Sequence, residues 1–396
     1  RQKLISIIDA ISQKFTLAVI FLAIVGLVFW WIRADFNQAL EIFTSILIVA
    51  CPCALALAAP FSYGNASRLL SRINVYLKDT SIMEVLSKIN TLVFDKTGTL
   101  TLKEATEINF IFNELDENTS QEIYSIVSSS IHPLSKALTQ YYNDKFTALS
   151  IQSFNENSGK GIDATINNHQ YLIGSKSWLL ENNVNIGEIE KSTRSLVLVS
   201  KNKQFLGYYE LSNVYRTNIL DHVNNLSKTY HTTILSGDGN AEEAYLSQKL
   251  TDVDLIFEQS PEEKQTYIQQ LKTNQNQKVM MLGDGINDAK ALKASNIGVA
   301  ITEDTGSFTP NSDIIMHANS IVKLPEILSF GKDTQKVLYI CLLVSLLYNV
   351  IGFGFAFSGL LSPLVAAILM PLSSISVVLL AVGLTNYFAY KRNLKA

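Results

Sequence analysis

Apolar residues gather in blocks near the two ends of this chain. Phe15–Ile32 runs for 18 residues without Asp, Glu, Lys or Arg, and Ile42–Ser67 is likewise uncharged. Near the C-terminus, Val337–Tyr390 is 54 residues long and also carries no charge. A membrane-spanning helix needs about 20 mostly apolar residues. The first two blocks therefore predict one span each. The last predicts two, broken near Ser358-Gly359 and Ser362-Pro363. The pattern as a whole predicts four spans, arranged as two hairpins.

Between Arg68 and Lys336 the pattern becomes that of a soluble α/β protein. Thr91–Phe94 reads as a short buried strand. From about Ile108 to Leu211 polar helical segments precede strands such as Tyr171–Ile173, Ser195–Val199 and Phe205–Tyr209. From Asn218 helices and strands alternate: Ile219–Tyr230, Thr232–Leu235, Ala241–Lys249, Asp254–Phe257, Glu262–Thr273, Lys278–Met281, Asp288–Ala294 and Ile297–Ala300. Such alternation argues for a parallel sheet, whose first strand ends at Asp95. Residues 107–211 then read as an insertion in an α/β domain made of 81–106 and 212–330. Transmembrane hairpins over 1–80 and 331–396 flank it. The fold class expected is α/β plus membrane helices.

Charge adds a direction. Charged residues are 17% of the 396, below the roughly 25% of soluble domains. The net charge of −3 gives no reason to expect a nucleic-acid partner. Arg68, Arg72 and Lys78 follow the second predicted span, Lys332 and Lys336 precede the third, and Lys391, Arg392 and Lys395 follow the fourth. After the first span stands only Arg33, offset by Asp35. Basic residues mark the cytoplasmic side, so the central part and both termini are expected there. The three cysteines, Cys51, Cys53 and Cys341, all fall in predicted spans and suggest no disulfide framework. With Arg1 first and no signal-peptide layout, the chain reads as the C-terminal part of something longer.

Several motifs carry chemistry. Asp95-Lys96-Thr97-Gly98-Thr99 follows an apolar strand. The strand holds the carboxylate, Gly98 lets the turn close, turn N–H groups can hold phosphate oxygens, and an aspartate can form an aspartyl-phosphate. Ser236-Gly237-Asp238, Lys264, and Gly283-Asp284-Gly285-Ile286-Asn287-Asp288 lie at strand ends or beside them, where such folds place their sites. Ser236 can donate to a phosphoryl oxygen. Lys264 can neutralise developing charge. Asp284 can hold Mg²⁺, a cation that prefers carboxylate and water oxygens, with Asn287 and Asp288 orienting that shell. Cys51-Pro52-Cys53 lies within a span; the proline opens the helix, and soft thiolates suit Cu(I), with Zn²⁺ as competitor.

Taken in this order, the phosphate motifs resemble those of the haloacid-dehalogenase superfamily. With both long signatures intact they resemble the P-type ATPases. That resemblance implies a haloacid-dehalogenase-like parallel-sheet phosphorylation domain with an inserted α+β nucleotide-binding domain. It implies phosphorylation of Asp95 by ATP, with Lys96 in the same signature. It implies Mg²⁺ held by Asp95, Thr97, Asp284 and Asp288. Ser130-Ile131-His132-Pro133-Leu134 and Gly159-Lys160-Gly161 resemble the nucleotide site of the heavy-metal branch, implying an ATP site lined by His132, Pro133, Gly159, Gly161 and Gly174. Two positions depart from the family. Ile131 stands where it usually has Glu, a polar contact to adenine, and Asn213 stands where it usually has Asp.

Cys-Pro-Cys ahead of Asp-Lys-Thr-Gly-Thr resembles the heavy-metal pumps specifically. Tyr348-Asn349 and Met370-Pro371-Leu372-Ser373-Ser374 match the copper(I) subgroup, implying a transported-ion site of Cys51, Cys53, Tyr348, Asn349, Met370 and Ser374. A charge-free last block favours a monovalent ion, because intramembrane carboxylates compensate added charge. The resemblance implies a multi-pass protein of a bacterial plasma or inner membrane, contacting lipid and receiving copper from a chaperone. Thr-Gly-Glu, the family's dephosphorylation signature, does not occur in these residues. The actuator domain and further helices are expected elsewhere in the same protein. A zinc or cadmium pump, a membrane-tethered phosphatase and an inactive metal-binding fragment stay open as alternatives.

Overall fold

The computed structural model describes residues 3–49, 53–112, 114–142, 145–157, 159–187, 189, 194–274, 276–303 and 311–394. Two compact units emerge: 1–93 with 261–396, and 94–260.

The first unit combines long apolar helices with the edge of a sheet. Its helices are Lys3–Arg33, Phe36–Val49, Cys53–Ser71, Leu324–Phe357 and Pro363–Lys391. Among the described residues three stretches are long and apolar enough to cross a membrane: Phe36–Ser71, Ala318–Phe357 and Pro363–Lys391. Leu17–Arg33 is a shorter apolar stretch. Ala23, Ile42, Ile46, Val49, Ala356 and Ala366 pack between the helices, while Leu17, Ile32, Leu364 and Leu379 point outward. An apolar belt of this kind suits lipid rather than water. The helix beginning at Leu324 starts 13 residues before the predicted span. Its early turns carry charge that the apolar pattern does not count. Asp333 is buried, yet paired with Arg392 at 2.8 Å and Lys336 at 3.3 Å.

Sheet strands of this unit lie in the order Val75–Leu77, Ile314–His317, Ile297–Thr302, Val279–Gly283, Thr91–Asp95. Val75–Leu77 pairs antiparallel with Ile314–His317; Ile314–His317, Ile297–Thr302 and Val279–Gly283 are mutually parallel. Thr91–Asp95 and Val279–Gly283 are buried at every position. Strands buried on both faces read as continuous apolar runs, which is why the sequence shows them clearly.

In the second unit, His231–Leu235 pairs parallel with Val253–Ile256. A six-stranded antiparallel sheet follows the order Thr101–Phe112, Gln204–Tyr215, Ser195–Lys201, His169–Gly174, Gly161–Ile166, Ser153–Asn157. Ile162, Ala164 and Ile166 are buried and alternate with half-buried neighbours, as a strand covered on one face requires. Helices Glu117–Ser128 and Pro133–Tyr141 cover that face with Ile123, Ile126, Val127 and Leu138. Leu179, Leu172 and Leu198 form a smaller core. Thr101–Phe112 was not expected as a strand. Its Thr, Lys, Glu and Asn residues hide the alternation, and it is held by pairing with Gln204–Tyr215.

Candidate active site and ion site

Asp95 closes its strand in extended conformation, with φ −69° and ψ 150°, and is itself buried. The chain then turns through Thr97 and Gly98, the latter at φ +73°, a left-handed conformation in which glycine meets no Cβ penalty. Lys96 is buried at 1% exposure and lies 2.8 Å from Asp238 Oδ2 and 3.0 Å from Glu242 Oε2. Thr97 Oγ1 donates to the same Asp238 oxygen at 2.7 Å. Tyr215 donates to Glu242 Oε2 at 2.8 Å; burial first, and then the Glu242 carboxylate, raise its phenol well above the usual range. Arg216 donates through Nε to the Thr99 carbonyl at 2.9 Å and through a terminal nitrogen to that of Gly98 at 3.2 Å. Ser236 is fully buried, and its Oγ accepts from the Asp238 N–H at 3.1 Å. Thus Lys96, Thr97 and the Ser236–Asp238 turn form one cluster.

Sequence reasoning missed Glu242 and Tyr215 as parts of this cluster. Glu242 has no motif around it. Asp238 stood within a quoted tripeptide but had no role assigned. The side chain of Asn213 lies outside the described residues; its backbone sits in Gln204–Tyr215, opposite Thr106.

The remaining residues expected from the sequence at the phosphate site belong to the first unit. Lys264 is buried near the start of helix Pro261–Asn274 and pairs with Asp288 Oδ1 at 2.8 Å. Burial raises the Asp288 carboxyl above the usual range; Lys264 opposes this and Asp284 adds to it. Asp284 shapes its own loop. Its Oδ1 accepts from the N–H of Ile286 at 3.1 Å and of Asn287 at 2.9 Å, and its Oδ2 accepts from Asn287 Nδ2 at 2.8 Å. The Asp284 N–H donates to Asp288 Oδ2 at 3.3 Å. Gly283 is required here, because an added Cβ would strike the Asp288 carboxylate.

His132 caps helix Pro133–Tyr141. Its Nδ1 accepts the Leu134 N–H at 3.2 Å, and its own N–H donates to Ser130 Oγ at 3.1 Å. Pro133 supplies the first helical position, where no N–H is needed. Beside this cap lies a cavity of about 680 Å³, lined by His132, Gly159, Gly161 and Gly174 among others. Gly161 and Gly174 stand opposite each other in register. A Cβ on Gly161 would come within 2.5 Å of the Ile173 carbonyl, and one on Gly174 within 2.5 Å of that of Lys160. Gly159 has φ +72°. Glu156, absent from the sequence-based set, also lines the cavity and accepts from Ser130 Oγ at 2.8 Å. Ile131 is 84% exposed.

Among the membrane residues, Cys51 and Pro52 lie outside the described residues. Cys53 opens helix Cys53–Ser71, half-buried, and that helix packs against both Leu324–Phe357 and Pro363–Lys391. Tyr348 donates to the Leu369 carbonyl at 3.0 Å, which sets Tyr348-Asn349 beside Met370. Asn349 is buried. Ser373 Oγ donates to the Met370 carbonyl at 2.8 Å and Ser374 Oγ reaches the same atom at 3.5 Å. Among the described residues no group of three or more His, Cys, Asp or Glu is arranged to hold a metal. Among the described residues the ion-site candidates are the Cys53 sulfur, which is disulfide-bonded, one thioether and neutral oxygens. A contact missed in the sequence is Asn65, whose Nδ2 donates to Thr385 Oγ1 at 2.5 Å while its Oδ1 accepts from Arg68 at 2.8 Å.

The haloacid dehalogenase-like hydrolase family matches residues 89–296. A copper-exporting P-type ATPase of Vibrio cholerae is 29% identical over 93% of this chain and 42% of its own length. A probable copper-importing P-type ATPase A of Enterococcus hirae is 31% identical over 96% of this chain and 53% of its own length. The chain thus spans about half the length of the curated relatives it matches. The crystal structure of a zinc-transporting PIB-type ATPase in its E2.Pi state superposes with a TM-score of 0.74 at 22% identity, covering 94% of this chain and 62% of that one. At that identity the likeness is one of fold.

Proposed function

Because this chain belongs to the haloacid dehalogenase-like hydrolase family, we propose that it is the phosphorylation, nucleotide-binding and ion-binding part of a P-type ATPase that moves Cu(I) out of the cytoplasm. The observation that carries this reading is the Asp95 loop. A buried carboxylate ends a core strand, and the loop after it is tied through Lys96 and Thr97 to Asp238. The chain around it is similar over nearly its whole length to copper P-type ATPases.

In the reaction, an Asp95 carboxylate oxygen attacks the γ-phosphorus of ATP, the bond from phosphorus to the β,γ-bridging oxygen breaks, and ADP leaves. Ser236 donates to a transferring oxygen and Lys264 neutralises charge on the phosphoryl group. His132, Pro133, Gly159, Gly161 and Gly174 hold the nucleotide, the glycines by leaving backbone free to approach it. The donors available for Mg²⁺ are the Asp95, Asp284 and Asp288 carboxylates and the Thr97 hydroxyl, hard oxygens that fit this ion. When bound, it would screen the negative charge of the phosphates. Asn287 keeps the Asp284 carboxylate oriented.

At the membrane, Cys51, Cys53 and Met370 supply soft sulfur for Cu(I), with Tyr348, Asn349 and Ser374 as polar support. Ion and phosphoryl sites are coupled because each conformational state has a different affinity for both. The phosphorylation and nucleotide parts face the cytoplasm of a bacterial inner membrane, a copper chaperone delivers the ion, and the actuator and further helices come from the rest of the protein. Labelling of the full-length protein with γ-³²P-ATP tests this. Cu(I)-dependent incorporation, lost in Asp95→Asn, is expected. Labelling with Zn²⁺ alone would assign the site to the zinc alternative.

A further inference from the structure

Where helices Cys53–Ser71 and Pro363–Lys391 end side by side lies a cavity of about 530 Å³. Arg68, Leu69, Arg72, Asn386 and Tyr390 are among the residues that line it, and no acidic residue does. Both helices belong to the first unit. None of the lining residues is a candidate for the phosphate, nucleotide or ion site.

The two cations of this cavity are not neutralised from within the protein. Arg68 donates through Nε at 3.1 Å and through a terminal nitrogen at 2.8 Å to one neutral oxygen, Asn65 Oδ1. Asn65 is itself buried, and its Nδ2 donates to Thr385 Oγ1 at 2.5 Å and to Asn386 Oδ1 at 3.3 Å. A buried network across two helices therefore positions Arg68 and Asn386, and leaves Arg68 with donors to spare. Four residues on, the Arg72 guanidinium has no hydrogen-bond or ion-pair partner among the described residues. Arg392, past the end of the second helix, differs: Asp333 neutralises it at 2.8 Å. Two like charges at this spacing repel each other. Guanidinium groups match the oxygens of a phosphate, and such an anion would turn the repulsion into attraction.

The surface beside the cavity indicates where that phosphate comes from. Tyr390, Tyr387 and Leu379 are all exposed and fall three and eight residues apart, on one face of the helix. Tyrosines at the end of a membrane-spanning helix mark the level of lipid headgroups, and the apolar face beyond them suits acyl chains. Inorganic phosphate would use only the cationic part of this surface. We infer that the cavity binds the headgroup phosphate of an anionic phospholipid through Arg68 and Arg72, with the acyl chains along Tyr387 and Leu379. Basic pockets between membrane helices take such headgroups. The inference rests on the membrane-spanning reading of the helices and not on the copper reading.

Native mass spectrometry of the full-length protein in detergent, titrated with phosphatidylglycerol, phosphatidylcholine or inorganic phosphate, tests it. The first phosphatidylglycerol should bind about tenfold more tightly than phosphatidylcholine, whose choline brings a cation to the arginines, and equimolar inorganic phosphate should not displace it. Arg72→Gln breaks no side-chain contact inside the protein, and should weaken phosphatidylglycerol binding about tenfold, as the loss of one charge-assisted hydrogen bond implies. Lys391→Gln changes an exposed charge outside the cavity and should leave binding unaltered. Equal affinity for the two lipids, equal losses in the two variants, or displacement of the lipid by inorganic phosphate would overturn the inference. If the protein instead stays in the aqueous phase on detergent partition, the membrane reading fails and the lipid site with it.

Discussion

Lys96 Nζ lies 2.8 Å from Asp238 Oδ2, and Thr97 Oγ1 reaches the same oxygen at 2.7 Å. Two neighbours of Asp95 thus converge on one carboxylate from a distant turn. The conformation of the loop after Asp95 is set by that ion pair as well as by its own glycine.

Removing the cation should expose how much depends on it. Breaking a buried pair leaves uncompensated charge and costs about 3 kcal/mol or more. Lys96→Met leaves Glu242, nearly buried, without its ammonium partner. Its unfolding midpoint should fall by several degrees in a thermal scan. Asp238→Asn should cost less, because Asp238 is 45% exposed and Glu242 still pairs with Lys96. If the two variants lose equal stability, Lys96 is not held as described.

Nucleotide affinity should distinguish the glycines of the cavity. Gly161→Ala drives a Cβ to 2.5 Å from the Ile173 carbonyl, a backbone atom that cannot swing away. Gly159→Ala meets no neighbour within 4 Å and suffers only its φ of +72°, a strain of about 1 kcal/mol. ATP titration calorimetry should show a large loss of affinity for the first and a small one for the second. The reverse order would remove the glycine pair from the site.

Acid should act on the second unit through Glu122. Burial pushes its carboxyl up, but donation from Tyr171, Lys201 and Asn167 outweighs this, and the net direction is down. A carboxyl lowered in the folded state contributes stability above the unfolded value of about 4.3. That contribution disappears as pH falls through the lowered folded value. Glu122→Gln should therefore be less stable at pH 7 and show a shallower decline in unfolding midpoint below about pH 4.3. Parallel declines for both proteins would rule out Glu122 as the source.

Within the helical part, Asn65→Leu removes the bond to Thr385 and strands the Arg68 guanidinium. Interhelical hydrogen bonds in membranes contribute about 1 kcal/mol. The variant should lower the thermal midpoint of the detergent-solubilised chain by a few degrees, with Thr385→Val giving a similar loss and the double variant little more. Additive losses would show that the two side chains do not interact.

The elements visible in the sequence are those whose signal is local. The strand ending at Asp95, the long apolar helices and the His132 helix cap follow from runs, breaks and caps within a few residues of each other. The order of phosphate motifs is also a property of the chain alone. Tertiary structure decided what depends on distance along it. Lys96 meets Glu242 at a separation of 146 residues, and Asn65 meets Thr385 at 320; no periodicity encodes either. A charge-free helix also says little about its faces, since lipid and protein interior are equally apolar. Sequence therefore showed that Cys341 lies in a span. Only packing put its sulfur against the Val377 carbonyl of the neighbouring helix.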